Sequence, residues 1–387
     1  MYKIKTYNKI SGTGLSRFDA EKYVYGDDIE DADGAIVRSA VLHDTEFPES
    51  LKAIARAGAG TNNIPIDRCS ESGIVVFNTP GANANAVKEL VLAGILMCSR
   101  RVVPAIEWTK TLKGKGAEVG KLVEKGKSAF AGPEISGKTL GVIGLGAIGG
   151  MVANAATHLG MKVYGYDPYL SVNSAWNLTH HAVHATDINE IYENCDYITI
   201  HVPLNDETKG YITKDTIAMM KDGVRILNFS RGDLVNSEDI LEALDSGKVS
   251  AYVTDFPNDD IIGAQGVITI PHLGASTPES EDNCATMAAD ELIDYIENGN
   301  ITNSVNMPNI SMPRSGSVRV CVLHRNIPNV LNSITGITTK ENINIENMLN
   351  KSKKDYAYTM LDINIDNSEA IAKAIADIEG VIKVRVI

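Results

Sequence analysis

Short apolar runs recur along this chain, broken by glycine or polar punctuation, and stretches of helical spacing lie between them. Strand-like runs stand at 35–38, 54–57, 74–77, 197–201, 224–228, 252–254 and 267–270. Helical spacing is clearest over 86–98 and 237–246. Strands alternating with helices predict parallel, doubly wound α/β sheets. The stretch 110–126, rich in Lys and Gly, reads as a segment that links or folds back. After Ser276 the spacing predicts a long helix over 278–297, with Gly299 as its C-cap. Residues 306–316, rich in Pro, Ser and Asn, read as a linker. The pattern then restarts as strand (318–323), helix (330–338), two strands (343–350 and 356–365), helix (368–378) and strand (382–387). That order is βαββαβ, a small unit separate from the rest.

One run stands out. Residues 139–143 end in Gly144, Gly146 and Gly149, a second apolar run at 162–166 ends in Asp167, and helical spacing lies between. This is the strand–glycines–helix–strand–acid order of a dinucleotide site. Gly144 permits the tight turn, Gly146 lets backbone approach a pyrophosphate, and Gly149 lets helix and strand pack closely. The helix N-terminus offers free N–H groups to the phosphates. Asp167 stands where a carboxylate accepts the ribose hydroxyls of NAD and repels the extra phosphate of NADP.

Composition narrows the classes. With 387 residues, 44% hydrophobic and 22% charged, the chain is globular and holds two or three domains. A net charge of −13 argues against a nucleic-acid binder. The five cysteines are scattered without a C-x-x-C pair, so neither a zinc site nor a disulfide framework is expected, and a reducing cytoplasm fits. No apolar run is long enough for a membrane span, and no secretory signal opens the chain. His180, His181 and His184 lack neighbouring ligands and read as surface, so no metal is expected.

Ligands of open parallel sheets bind beyond the carboxyl ends of the strands. There the chain places His201-Val-Pro203, Asn228-Phe-Ser-Arg231, Asp255 with Asp259 and Asp260, and Pro271-His272. An imidazole suits removal of an alcohol proton near neutral pH. A carboxylate on its other nitrogen fixes the tautomer, and a guanidinium can hold a substrate carboxylate in a bidentate grip. The set fits hydride transfer from an alcohol carbon to a nicotinamide.

These motifs, 141–149, 196–204, 228–232, 255–257 and 271–276, resemble those of the D-isomer-specific 2-hydroxyacid dehydrogenases, in the family's order. The likeness is closest to the branch that oxidises 3-phospho-D-glycerate with NAD and so opens serine biosynthesis. The resemblance implies two lobes meeting at a cleft, a Rossmann NAD lobe and a flavodoxin-like substrate lobe. Substrate binding is expected from 1–96 with 276–306, NAD binding from 97–275, a linker at 307–316 and an ACT-like regulatory domain at 317–387. His272 would be the general base and Arg231 the carboxylate holder. Spacing from Asp255 makes Asp260 the partner of His272, whereas spacing from Phe256 makes it Asp259. Gly144, Gly146, Ile148, Gly149, Asp167, Pro203 and Asp255 would meet the cofactor. Arg38, Ser39, Gly60 and Asn83 would meet the phosphorylated 2-hydroxy acid, with Lys88, Lys125 and Lys127 as further cations. In the tail, His324, Asn326 and Asn344 match a serine-binding loop, although Asn329 replaces its usual Gly. A homodimer or homotetramer is implied. The alternatives are a glyoxylate or hydroxypyruvate reductase, another D-2-hydroxyacid dehydrogenase, or a non-catalytic sensor of NAD or amino acids.

Overall fold

The structure is a computed structural model that describes residues 1–365 and 368–387. It divides into two compact units, Met1–Asn83 with Pro278–Ile387, and Ala84–Thr277.

The first unit contains a five-stranded parallel sheet. Its strands are β1 (Tyr2–Tyr7), β2 (Tyr23–Gly26), β3 (Gly34–Val37), β4 (Ala53–Arg56) and β5 (Val75–Asn78), in the order β2-β1-β3-β4-β5. This is the expected flavodoxin-like order. β3 is buried along its whole length, which is why it reads as a continuous apolar run. The predicted long helix is present as Pro278–Asn298 and packs on β3, β4 and β5. Its buried face carries Cys284, Ala285, Ala288, Ala289, Leu292, Tyr295 and Ile296, small at one end and large at the other.

The βαββαβ unit forms within the same body. Label the remaining strands of the chain β6 (Thr139–Ile143), β7 (Lys162–Tyr166), β8 (Val183–His184), β9 (Tyr197–Ile200), β10 (Val224–Asn228), β11 (Val249–Thr254), β12 (Val267–Thr269), β13 (Val318–Arg325), β14 (Ile345–Lys353), β15 (Tyr356–Ile363) and β16 (Val381–Val386). The C-terminal sheet is antiparallel, in the order β14-β15-β13-β16. One side buries Val320, Val322, Leu361 and Ile363 with residues of the helices Val330–Lys340 and Ser368–Ala376. From its other side Cys321, Leu323, Tyr358 and Met360 enter one core with Tyr295 and Ile296 of the long helix. The sheet is therefore not separate, as its sequence had implied, and the expected linker is no free tether. Met307, Ile310 and Met312 are buried, and Ile301 pairs with Ile310. The sheet also holds the helix end. Arg319 Nη1 donates to the carbonyl of Asn298 (2.8 Å), Arg385 Nη2 to that of Ile296 (2.9 Å), and the Tyr358 hydroxyl to that of Gly299 (2.8 Å). These donors take up carbonyls that a helix C-terminus leaves open.

The second unit contains a seven-stranded, wholly parallel sheet in the order β12-β11-β10-β9-β6-β7-β8. Chain order reverses direction between β6 and β9, which opens a crevice at that switch. The helix Ala84–Arg100 lies against the helix Ala147–His158 and against β10 and β11. The boundary expected at 96 thus falls inside a helix, and the division between units precedes it. The stretch 110–126 does fold back. Helices Val102–Lys110 and Val119–Gly126 bring Trp108 against Phe130, ring centroids 5.2 Å apart.

Candidate active site

The glycine-rich turn joins β6 to the helix Ala147–His158. Gly144 has φ +89°, and its N–H donates to the Tyr166 carbonyl at 2.8 Å. A side chain there would meet the His201 carbonyl at 2.6 Å, and one on Gly149 would meet the Gly144 carbonyl at 1.9 Å. Those two glycines are required by the protein itself. Gly146 is different: a Cβ there meets no protein atom within 4 Å, and the residue is exposed at the helix N-terminus. Space, free N–H groups and a helix dipole at this turn fit a dinucleotide pyrophosphate. Ile148 is half-buried and packs into the core beneath. Asp167 is tied to the turn, since its Oδ2 accepts from Leu145 N (2.9 Å) and its Oδ1 from Tyr169 N (2.9 Å). Its carboxylate is thereby fixed at the end of β7, beside the turn. Pro203 is exposed, and its carbonyl accepts from the Thr208 hydroxyl at 2.6 Å.

The carboxyl edge of the same sheet carries the acid–base groups. Asn228 ends β10; its Nδ2 donates to the Arg231 carbonyl (2.8 Å), and its Oδ1 accepts from Ser230 N (3.2 Å). This Asx-type turn presents Arg231, whose side chain is exposed. Asp255 follows β11 and is 1% exposed, with Oδ1 lacking any hydrogen-bond partner. Burial pushes its carboxyl up to about 6, against the opposing pull of the Arg231 charge. His272 stacks on Phe256, ring centroids 4.6 Å apart. Partial burial, followed by the Arg231 charge, holds the imidazole below its ordinary range, which favours its neutral form. Gly232, Asp255, Phe256, Asn258 and His272 line one cavity of about 600 Å³. Arg231 thus lies within electrostatic reach of both Asp255 and His272, which share that cavity. Asp259 and Asp260 do not join them. Both are exposed, and among the described residues neither is hydrogen-bonded to His272. His201 is close-packed against the turn; its Nε2 meets Thr199 Oγ1 (2.9 Å), its Nδ1 has no partner, and burial drives it down to about 4.

In the first unit Arg38 follows β3 and pairs with Glu281, Nη1 to Oε1 at 2.7 Å. Ser39 N donates to Asn8 Oδ1 at 3.2 Å. Gly60 and Asn83 are half-buried. Lys88 lies in the second unit and is mostly covered, 3.8 Å from Glu89. Two neighbours of Arg38 escaped the sequence reading. Arg56, at the end of β4, sends Nε to the Arg38 carbonyl (3.2 Å), and Glu281 supplies the counter-ion. The only available signals were a cation before a Gly-x-Gly and an acid in a first helical turn.

The three tail residues differ in kind. His324 is 3% exposed, with Nδ1 against the Arg325 carbonyl (2.8 Å) and Nε2 against Thr359 Oγ1 (2.9 Å). Asn326 Nδ2 donates to the Lys354 carbonyl (3.0 Å) and Asn344 Nδ2 to Glu346 Oε1 (3.0 Å); both are exposed. Asn329 adopts φ +71°, so the left-handed position usually given to Gly is kept. Among the described residues, no His, Cys, Asp or Glu cluster is placed to hold a metal ion, and no helix is long and apolar enough to cross a membrane.

The chain is similar to known proteins along most of its length. The sequence profile for the D-isomer specific 2-hydroxyacid dehydrogenase NAD binding domain matches residues 92–274, and that for the AHAS small subunit-like ACT domain matches 320–385. A D-3-phosphoglycerate dehydrogenase of Haemophilus influenzae is 31% identical over 386 residues, covering 95% of this chain and 90% of its own. One from Methanocaldococcus jannaschii is 38% identical over 304 residues, covering 76% of this chain and 56% of its own. The chain spans about half the length of several such relatives, 51% of the human one. Among solved structures, the NAD+-bound 3-phosphoglycerate dehydrogenase of Entamoeba histolytica superposes with a TM-score of 0.60 at 28% identity, covering 79% of this chain and 98% of that one.

Proposed function

The chain belongs to the D-isomer specific 2-hydroxyacid dehydrogenase family, and from that premise we propose that it oxidises 3-phospho-D-glycerate to 3-phosphohydroxypyruvate, the entry to L-serine synthesis. The observation that carries this reading is the electrostatic grouping of His272, Arg231 and Asp255 at the carboxyl edge of an NAD-type sheet. Gly144, Gly146, Ile148, Gly149, Asp167, Pro203 and Asp255 would hold NAD, whose nicotinamide would supply the acceptor for the C2 hydride. His272, whose neutral form is favoured by partial burial and the Arg231 charge, takes the C2 hydroxyl proton. Arg231 holds the substrate carboxylate and draws electron density toward the C2 oxygen. Asp260, or Asp259, swings in to stabilise the imidazolium; Asp is one methylene shorter than the Glu usual in the family, so this loop must move closer. Arg38 and Ser39 bind the phosphate, with Gly60 and Asn83 completing the substrate contacts.

The C-terminal sheet is read as an L-serine sensor through Asn326 and Asn344, with His324 as the buried support behind them. A homodimer or homotetramer in a reducing cytoplasm completes the reading, and the five cysteines, all free and buried, accord with it. A panel of 2-hydroxy acids, phosphorylated and not, with NAD or NADP and absorbance as readout, tests the proposal. Preference for 3-phospho-D-glycerate with NAD is the expected result. Equal or better turnover of glycerate, or reduction of glyoxylate as the main activity, would overturn the substrate. A higher kcat/KM with NADP would overturn the role of Asp167. Added L-serine should change the rate or the melting temperature; if it changes neither, the sensor reading falls.

A further inference from the structure

Two guanidinium-bearing residues stand at the carboxyl edge of the five-stranded sheet. Arg38 follows the last residue of β3, and Arg56 ends β4 with its Nε on the Arg38 carbonyl. Such a place attracts an anion, and the anion already there is part of the chain. Glu281 Oε1 lies 2.7 Å from Arg38 Nη1. It comes from the first turn of the helix Pro278–Asn298, where Glu279 is a second acid. Both acids lie in the first turn, where the helix dipole favours negative charge. The helix cannot drift away from the pair. Its neighbours Ser280, Cys284 and Ala285 are buried, and its far end is held by Arg319 and Arg385 of the C-terminal sheet. The side chains are freer: Arg38 is 36% exposed and Glu281 42%, so the pair can open without unfolding anything.

We propose that Glu281 is a built-in competitor for Arg38, which occupies the guanidinium until a substrate phosphate displaces it and so limits the preference for phosphorylated over unphosphorylated hydroxy acids. The proposal rests on the assignment of Arg38 to the phosphate. A dianionic phosphate at Arg38 meets the Glu281 carboxylate as a like charge, whereas a neutral hydroxymethyl group does not. Glu281 therefore acts against the phosphorylated substrate selectively. Removing its charge improves binding of that substrate and leaves the reacting end alone.

The test uses the full-length protein with NAD. Glu281→Gln should lower KM for 3-phospho-D-glycerate by about three- to fivefold, the scale of an exposed ion pair, with kcat unchanged and kinetics on D-glycerate unmoved. Glu281→Asp, which keeps the charge, should stay near the wild type. An unchanged or higher KM in Glu281→Gln, or an equal fall in Glu281→Asp, overturns the proposal. Calorimetric titration with inorganic phosphate separates this from the substrate assignment. Tighter phosphate binding by Glu281→Gln, abolished by Arg38→Ala, supports the competition even if 3-phospho-D-glycerate proves not to be the substrate. Equal phosphate affinity of wild type and Glu281→Gln, or binding that survives Arg38→Ala, sinks the competition even if that substrate is turned over.

Discussion

Both the seven-stranded sheet and the C-terminal sheet bury polar side chains, but they treat them oppositely. At the carboxyl edge of the first, Asp255 Oδ1 and His201 Nδ1 are buried without a partner, and each group is pushed toward its neutral form, to about 6 and about 4. In the second, Arg319 and Asp362 form a two-pronged pair, Nε to Oδ1 at 2.7 Å and Nη2 to Oδ2 at 2.8 Å. His324 has both nitrogens engaged, and Arg385 sits on helix carbonyls. A buried group left short of hydrogen bonds is costly, so native proteins rarely keep one without a use. The unsatisfied edge is where chemistry is expected, and the satisfied sheet is where register and docking are specified. The same comparison explains why Asn326 and Asn344, exposed, are better placed to meet a small ligand than His324.

Five single variants probe that contrast. The largest effect is expected from His272→Ala, which should lower kcat/KM by roughly a thousandfold through loss of the base. Its melting temperature should stay near the wild type, because the residue is exposed; retained turnover would move the base elsewhere. Arg319→Met should do the reverse, leaving kcat intact while costing about 3–5 kcal/mol of stability by stranding the buried Asp362. Denaturant melts would show this, and joint replacement of Arg319 and Asp362 by apolar residues should restore much of the loss.

The glycine-rich turn contains the contrast in miniature. Gly149→Ala should destabilise the fold by about 3 kcal/mol, since the new methyl overlaps the Gly144 carbonyl. Gly146→Ala should melt like the wild type yet bind NAD more weakly, as read by fluorescence titration. Equal stability of the two variants would dissolve the distinction between a glycine the fold needs and one the ligand needs. The smallest effect belongs to Glu291, a carboxyl raised by burial to about 8 with Oε2 unpartnered. The folded state holds this proton more tightly than the unfolded state does. Its contribution to stability is therefore full below about 4.5 and lost as pH rises through about 8. Glu291→Gln should melt a few degrees closer to its acid value at pH 9 than the wild type does, roughly 2–4 °C. An unchanged pH dependence would show that the site takes up its charge without penalty.

What the sequence determined by itself was local. The strand runs, the glycine spacing, the acid at Asp167 and the βαββαβ order are set by backbone sterics and by the periodicity of burial, and they are legible one segment at a time. Their regularity was enough to predict a parallel, doubly wound sheet, whereas the division into two lobes came from the family resemblance. Tertiary structure decided everything that depends on what comes from far along the chain. Nothing near Arg38 announces Glu281, because the pair is closed by a helix some 240 residues later. The stretch 306–316 has linker composition, yet Met307, Ile310 and Met312 are buried because the C-terminal sheet covers them. The partner of His272 is the opposite case, because Asp259 and Asp260 are adjacent on one exposed loop and neither spacing nor packing selects between them. Elsewhere the packing does choose. The long-range packing energy that fixes such choices is absent from any short window of residues.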